Sequence, residues 1–171
     1  MKKTICQLLI SVVLPLSFVS CATAGYADNC ETSNESLESM SPISLSIKRR
    51  NGSKETIDAL LADNGATRAA GFQNVCGSTI DSTLILFTFP VEIKPSFHMN
   101  NVVASLDIAF IKSNGKIVSI QLMKPYSPMS INKPLYSPQE PVIAALEAHK
   151  GFFKKFNVQE GDVISWEKAK D

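Results

Sequence analysis

Short runs of alternating apolar and polar side chains, separated by turn residues, fill most of this chain. In Pro42-Ile43-Ser44-Leu45-Ser46-Ile47-Lys48 every second residue is apolar. That period predicts a half-buried strand with Ile43, Leu45 and Ile47 inward. Asn51-Gly52 follows, and residues 55–61 form a second run, so the pair reads as a hairpin. Asp63 or Asn64 can cap a short helix over 66–70 that stops at Gly71. Residues 84–89 are apolar on both faces, as in an interior strand. Residues 96–100 read as another strand, with Phe97 and Met99 on one side and His98 and Asn100 on the other. Residues 106–111 and 116–122 flank Asn114-Gly115, a second hairpin whose later arm puts Val118, Ile120 and Leu122 on one face.

Five prolines between 124 and 141 predict an irregular, stiff segment. Residues 142–150 alternate like a strand but are alanine-rich like a helix, and periodicity leaves both readings open. Residues 151–156 suggest a short helix burying Phe152, Phe153 and Phe156, and residues 163–166 a last strand. The expected fold is mainly β (α+β): an antiparallel jelly-roll-like sandwich or distorted barrel with two short helices.

The N-terminus follows another pattern. Lys2 and Lys3 precede an apolar stretch over 5–19, then Ala22-Thr23-Ala24. This is the three-part arrangement of a secretory signal peptide over 1–24. Phe18-Val19-Ser20-Cys21 offers a competing cut, a lipoprotein signal over 1–20 with an acylated Cys21. Residues 25–41 read as a flexible polar leader, 42–167 as a single β-rich domain and 168–171 as a tail. The expected address is the periplasm, or the outer membrane if Cys21 carries lipid. Of the four cysteines, Cys30 and Cys76 lie outside both signals. An even pair in an oxidising compartment predicts a Cys30–Cys76 disulfide, against the alternative of two free thiols.

Charge and composition narrow the function. Lys+Arg 17 against Asp+Glu 16 gives a net charge of +1, which is no nucleic-acid footprint. The chain lacks G-x-S-x-G, H-E-x-x-H, a phosphate-cradling glycine loop and any cysteine–histidine zinc spacing. Neither a metal nor a cofactor is expected.

Several segments, in order, carry a resemblance. Leu86-Phe87-Thr88-Phe89, Ser96-Phe97-His98-Met99-Asn100-Asn101, Leu106-Asp107-Ile108-Ala109-Phe110-Ile111 and Gly115-Lys116-Ile117-Val118-Ser119-Ile120 resemble the motifs L-F-V-F, S-F-W-M-K-N-T, P-L-D-I-x-F-I-D and G-x-I-V-x-I. Arg68-x-x-Gly71, Gly151-Phe152 and Gly161-Asp162-Val163 match further positions. The family is the domain of unknown function 192 family, also called uncharacterised ACR. The resemblance covers about residues 43–166 and implies a compact, mainly β domain in which 142–146 is a strand. It implies no reaction. His98 stands where tryptophan is usual, Asn100 for lysine, Val102 for threonine, Ser105 for proline and Gln73 for methionine.

Asp107 lies in a strand that is apolar on both sides, so its carboxylate needs a partner, and Arg68 is the expected one. The plainer role for Asp107 is structural, as a paired or capping carboxylate. His98 is a candidate base or metal ligand, against the more ordinary role of a histidine at a surface or pocket rim. Arg68, Phe97, His98, Asn101 and Asp107 are the candidate ligand-binding residues, roofed by segment 124–141. The leading expectation is a non-enzymatic exported domain that binds a small molecule or an envelope protein, touching a membrane only through a lipid on Cys21. The rivals are a hydrolase or lyase using Asp107 and His98, and a structural outer-membrane lipoprotein.

Overall fold

The computed structural model describes residues 30–127 and 129–167. Both signal-peptide readings and the tail at 168–171 lie outside the described residues. Chain order is α1 (Glu35–Glu38), β1 (Ser41–Lys48), β2 (Lys54–Ala62), α2 (Gly65–Ala70), α3 (Gly77–Ile80) and β3 (Ile85–Ile93). Then come β4 (Leu106–Ile111), β5 (Ile117–Met123), β6 (Val142–His149), α4 (Phe152–Lys155) and β7 (Val163–Glu167). The strands form one seven-stranded sheet ordered β5-β4-β6-β3-β2-β1-β7.

The fold is mostly β and of the α+β class, but the sheet is a single open one, neither a two-sheet sandwich nor a closed barrel. It is also mixed, because β2 pairs with β3 in parallel. The β2–β3 connection carries α2 and α3, and a parallel neighbour needs such a crossover. Among the described residues there are four short helices where two were expected. At one end the sheet's two edges approach, where the Ile164 N–H donates to the Gly115 carbonyl at 2.8 Å and the Ile117 N–H to the Asp162 carbonyl at 2.9 Å. Gly115 has φ 78, and a Cβ there would sit 2.6 Å from the Ile164 carbonyl oxygen. Glycine is needed for the turn and for the close approach.

Strand alternation sorts the core into two clusters. Leu45, Ile47, Leu86, Ala109, Ile111, Leu146 and Ile164 fill one face together with Phe152 and Phe153 of α4. Ile85, Phe87, Ile108, Phe110 and Ala145 fill the other, under Leu37, Phe72, Val75 and Ile80 from the α1–α3 region. β6 is a strand because both its faces are covered; Ala144, Ala145, Leu146 and Ala148 are fully buried. Small alanines let it lie between β3 and β4 under packed layers on both sides.

Three local expectations change. Residues 96–100 form no strand; they hold one bridge, with the Phe97 and Tyr136 amides each donating to the other's carbonyl at 2.9 Å. In β5, the partner of Phe110 is Ser119 while that of Ile111 is Ile117. The skipped Val118 is a bulge, so Val118 packs with one cluster and Ile120 with the other. The part of the leader from residue 30 onward is packed rather than free. Asn34 caps α1 by accepting from the Leu37 N–H, and Leu37 and Met40 are buried. Cys30 and Cys76 form a disulfide with their Cα atoms 4.9 Å apart.

Candidate functional site

Helix α2 begins with a capping box. Asn64 accepts from the Thr67 N–H while the Thr67 side chain accepts from the Asn64 N–H, so Asn64 rather than Asp63 caps the helix. The helix stops at Gly71, whose φ is 48. A Cβ at Gly71 would lie 3.4 Å from Phe87 Cζ and 3.7 Å from Glu147 Oε2. Glycine thus lets the chain end of α2 lie directly on β3 and β6. One turn earlier, the Arg68 guanidinium donates to the Thr88 carbonyl at 2.9 Å and sits 5.9 Å from the centre of the Phe89 ring. Those two contacts fix the cation at the rim of α2 instead of leaving it free in solvent.

Between α2, β3 and segment 94–102 lies a cavity of about 400 Å³. Its walls are largely apolar, with Phe87, Phe89, Phe97, Val102 and Ile93 contributing. The Phe87 and Phe97 rings meet edge to face, 5.1 Å apart. Arg68 is half-buried and His98 exposed at the mouth. Glu147 also lines the cavity, although only 4% of it is exposed. It sits between Ile85 and Ile108 in the sheet. Among the described residues no hydrogen bond or ion pair reaches its carboxyl, and burial alone pushes its pKa up to about 8. Near neutral pH it is therefore a protonated acid, able to donate and to accept.

The residues singled out from sequence divide. Arg68, Phe97 and His98 come together around the cavity. Asn101 does not line it; its backbone (φ 54) turns the chain, and its carbonyl accepts from the Asn74 N–H at 2.8 Å. Asp107 is on the opposite face and does not meet Arg68. Its carboxylate accepts from the Gly151 N–H at 2.8 Å and also from the Phe153 amide. Desolvation raises its pKa, and those two backbone bonds oppose the rise. It is a capping carboxylate for the start of α4. The expected Arg68–Asp107 pair is replaced because strand alternation sends Ile108, not Asp107, toward α2. Asp107 and His98 likewise share no site, so a hydrolase or lyase built on that pair has no geometric basis.

Nor does segment 124–141 roof the cavity; none of its described residues lines it. It braces segment 97–101 instead. The Tyr126 hydroxyl accepts from the Met99 N–H at 3.2 Å and donates to Asn100 Oδ1 at 3.0 Å. Glu147 escaped the sequence reading. The available signal was a lone carboxylate in a run apolar on both faces, the same signal that singled out Asp107.

A family model described as Uncharacterized ACR, DUF192, matches residues 46–166. The chain belongs to the DUF192 family. Curated relatives of this DUF192 protein are UPF0127 proteins. That of Thermococcus gammatolerans is 28% identical over 109 residues, 63% of this chain and 65% of the relative. That of Pyrococcus furiosus is 26% identical over 85 residues, 48% of this chain and 67% of the relative. The chain thus spans just under two thirds of the Thermococcus gammatolerans protein. Two solved structures share the fold. A proposed transcription regulator from Sinorhizobium meliloti has a TM-score of 0.66 at 23% identity, covering 74% of this chain and 95% of its own. A protein of unknown function from Novosphingobium aromaticivorans has a TM-score of 0.61 at 21% identity, covering 78% of this chain and 99% of its own.

Proposed function

We propose that this DUF192 domain is an exported, non-enzymatic binding module that takes a small molecule into the cavity beside α2. The observation that carries the reading is Glu147, a buried carboxyl lining an apolar cavity with no protein partner. Among the described residues the only sealed side-chain polar atom without a partner is Ser119 Oγ, so the Glu147 carboxyl opens onto the cavity, where water or a ligand can meet it. A small molecule that brings its own polar group can replace that water beside the apolar walls. A cavity of about 400 Å³ is within the usual range for small-molecule sites. Export rests on the charged, apolar and small-residue order of 1–24 and on the Cys30–Cys76 disulfide, which an oxidising compartment such as the periplasm would maintain.

The test is a thermal-shift screen of a metabolite library on the mature protein, with Arg68→Ala and Glu147→Gln beside it. Stabilising compounds are expected to lose most of their shift in at least one variant. Shifts unchanged in both place binding elsewhere and overturn the reading. N-terminal mass analysis with detergent phase partitioning separates a soluble form from one acylated at Cys21.

A further inference from the structure

The binding cavity joins a carboxyl, Glu147, to a guanidinium, Arg68, across walls of phenylalanine. Resting on the binding-module reading, we propose that the cavity takes a small amphoteric amine: an ammonium against Glu147, a short apolar body along the phenylalanines, and an acidic group at Arg68.

Each part answers a feature of the site. Glu147 has no hydrogen-bond partner of either kind from the protein; a neutral group can meet only its protonated form, whereas an ammonium meets the ionised form and adds charge attraction to the hydrogen bond. The neighbouring walls hold Phe87, Phe89 and Phe97, whose ring faces attract a cation as well as alkyl groups. A metal ion needs several ligands, and among the described residues no three His, Cys, Asp or Glu side chains are grouped to hold one. An ammonium needs only one carboxylate plus polarisable walls. The mouth has the opposite sign. Arg68 is held by the Thr88 carbonyl through one nitrogen and by the Phe89 ring, while the fork carries five N–H donors in all. Further donors remain for a carboxylate. A ligand with one charge of each sign balances both ends, whereas a simple amine leaves Arg68 unanswered and a simple acid leaves Glu147 unanswered.

Ammonium binding requires Glu147 to ionise, so the complex forms with release of that proton to solvent. The titratable side chains lining the cavity are Glu147, Arg68 from α2 and His98 from the mouth. The neighbours of Glu147 on β3 and β4, Ile85 and Ile108, carry no charge.

The experiment uses four probes of similar size on the mature protein, read by calorimetry and by amide shifts in NMR. They are 6-aminohexanoate, hexylamine, hexanoate and hexanamide. The expected order puts 6-aminohexanoate first, at least tenfold tighter than hexanoate or hexanamide. Its affinity is expected to rise about tenfold per pH unit from pH 6 toward 8 and then level off. Calorimetry in buffers of different ionisation enthalpy should show one proton released. Glu147→Gln should abolish the pH dependence and weaken binding at least tenfold. Arg68→Met should bring 6-aminohexanoate down to hexylamine, and His98→Asn should leave the pH slope in place. Hexanamide or hexanoate binding best in the cavity, with no proton released, overturns the amine assignment but keeps the binding module. No shift at cavity amides with any probe overturns both.

Discussion

Replacing Glu147 by glutamine removes one ionisation and almost no volume. In the folded protein the Glu147 pKa is pushed up to about 8 from an ordinary 4.5. Between those values the folded state holds a proton that the unfolded chain has released. Stability from this group is complete below about pH 4.5 and is lost as pH rises through about 8. At about 1.4 kcal/mol per pH unit, the whole interval integrates to roughly 5 kcal/mol. Water reaching the carboxyl through the cavity lowers that figure, so half of it is the useful threshold. For a domain of this size it corresponds to a melting temperature falling by about 10 °C between pH 5 and 8, relative to a chain without the group. Glutamine does not titrate. Urea melts of wild type and Glu147→Gln, disulfide intact, should therefore diverge steadily from pH 5 to 8 and run parallel above about 8.5. Curves that stay parallel within about 1 kcal/mol across the range refute a buried, unpartnered carboxyl at this position.

Asp107→Asn removes the charge that accepts from Gly151 and Phe153, so it should cost about 1 kcal/mol in denaturant melts. Because Asp107 lies on the other face, cavity binding measured by calorimetry should be unchanged. Cys30→Ser opens a cross-link spanning 46 residues and should cost roughly 4 kcal/mol, seen as a lower urea midpoint that matches reduced wild type. Gly115→Ala forces a Cβ to within 2.6 Å of the Ile164 carbonyl at φ 78, and a loss of about 2–4 kcal/mol in thermal unfolding is expected.

Local rules carried the strands well. Ile43, Leu45 and Ile47 point inward as their alternation requires, and Asn64 and Gly71 bracket α2. They failed at Val118, where a bulge reset the phase, and at 96–100, where one bridge to Tyr136 took the place of a strand. Neither event has a local signature, because each depends on the partner's register. The site divided in the same way. Arg68, Phe97 and His98 were legible as polar or aromatic residues within motifs, whereas Glu147 was hidden in a run that suited helix or strand equally.

The sequence alone determined which residues alternate, where the chain turns, and the family. Those properties depend on neighbours within a few residues or on residue type and order. Tertiary structure alone decided that β2 and β3 run parallel, that the sheet stays open, and that Asp107 and Glu147 face opposite ways. Strand order and the choice of covered face are set by contacts between residues far apart in the chain. The energy of a buried carboxyl belongs to that arrangement, not to the glutamate itself.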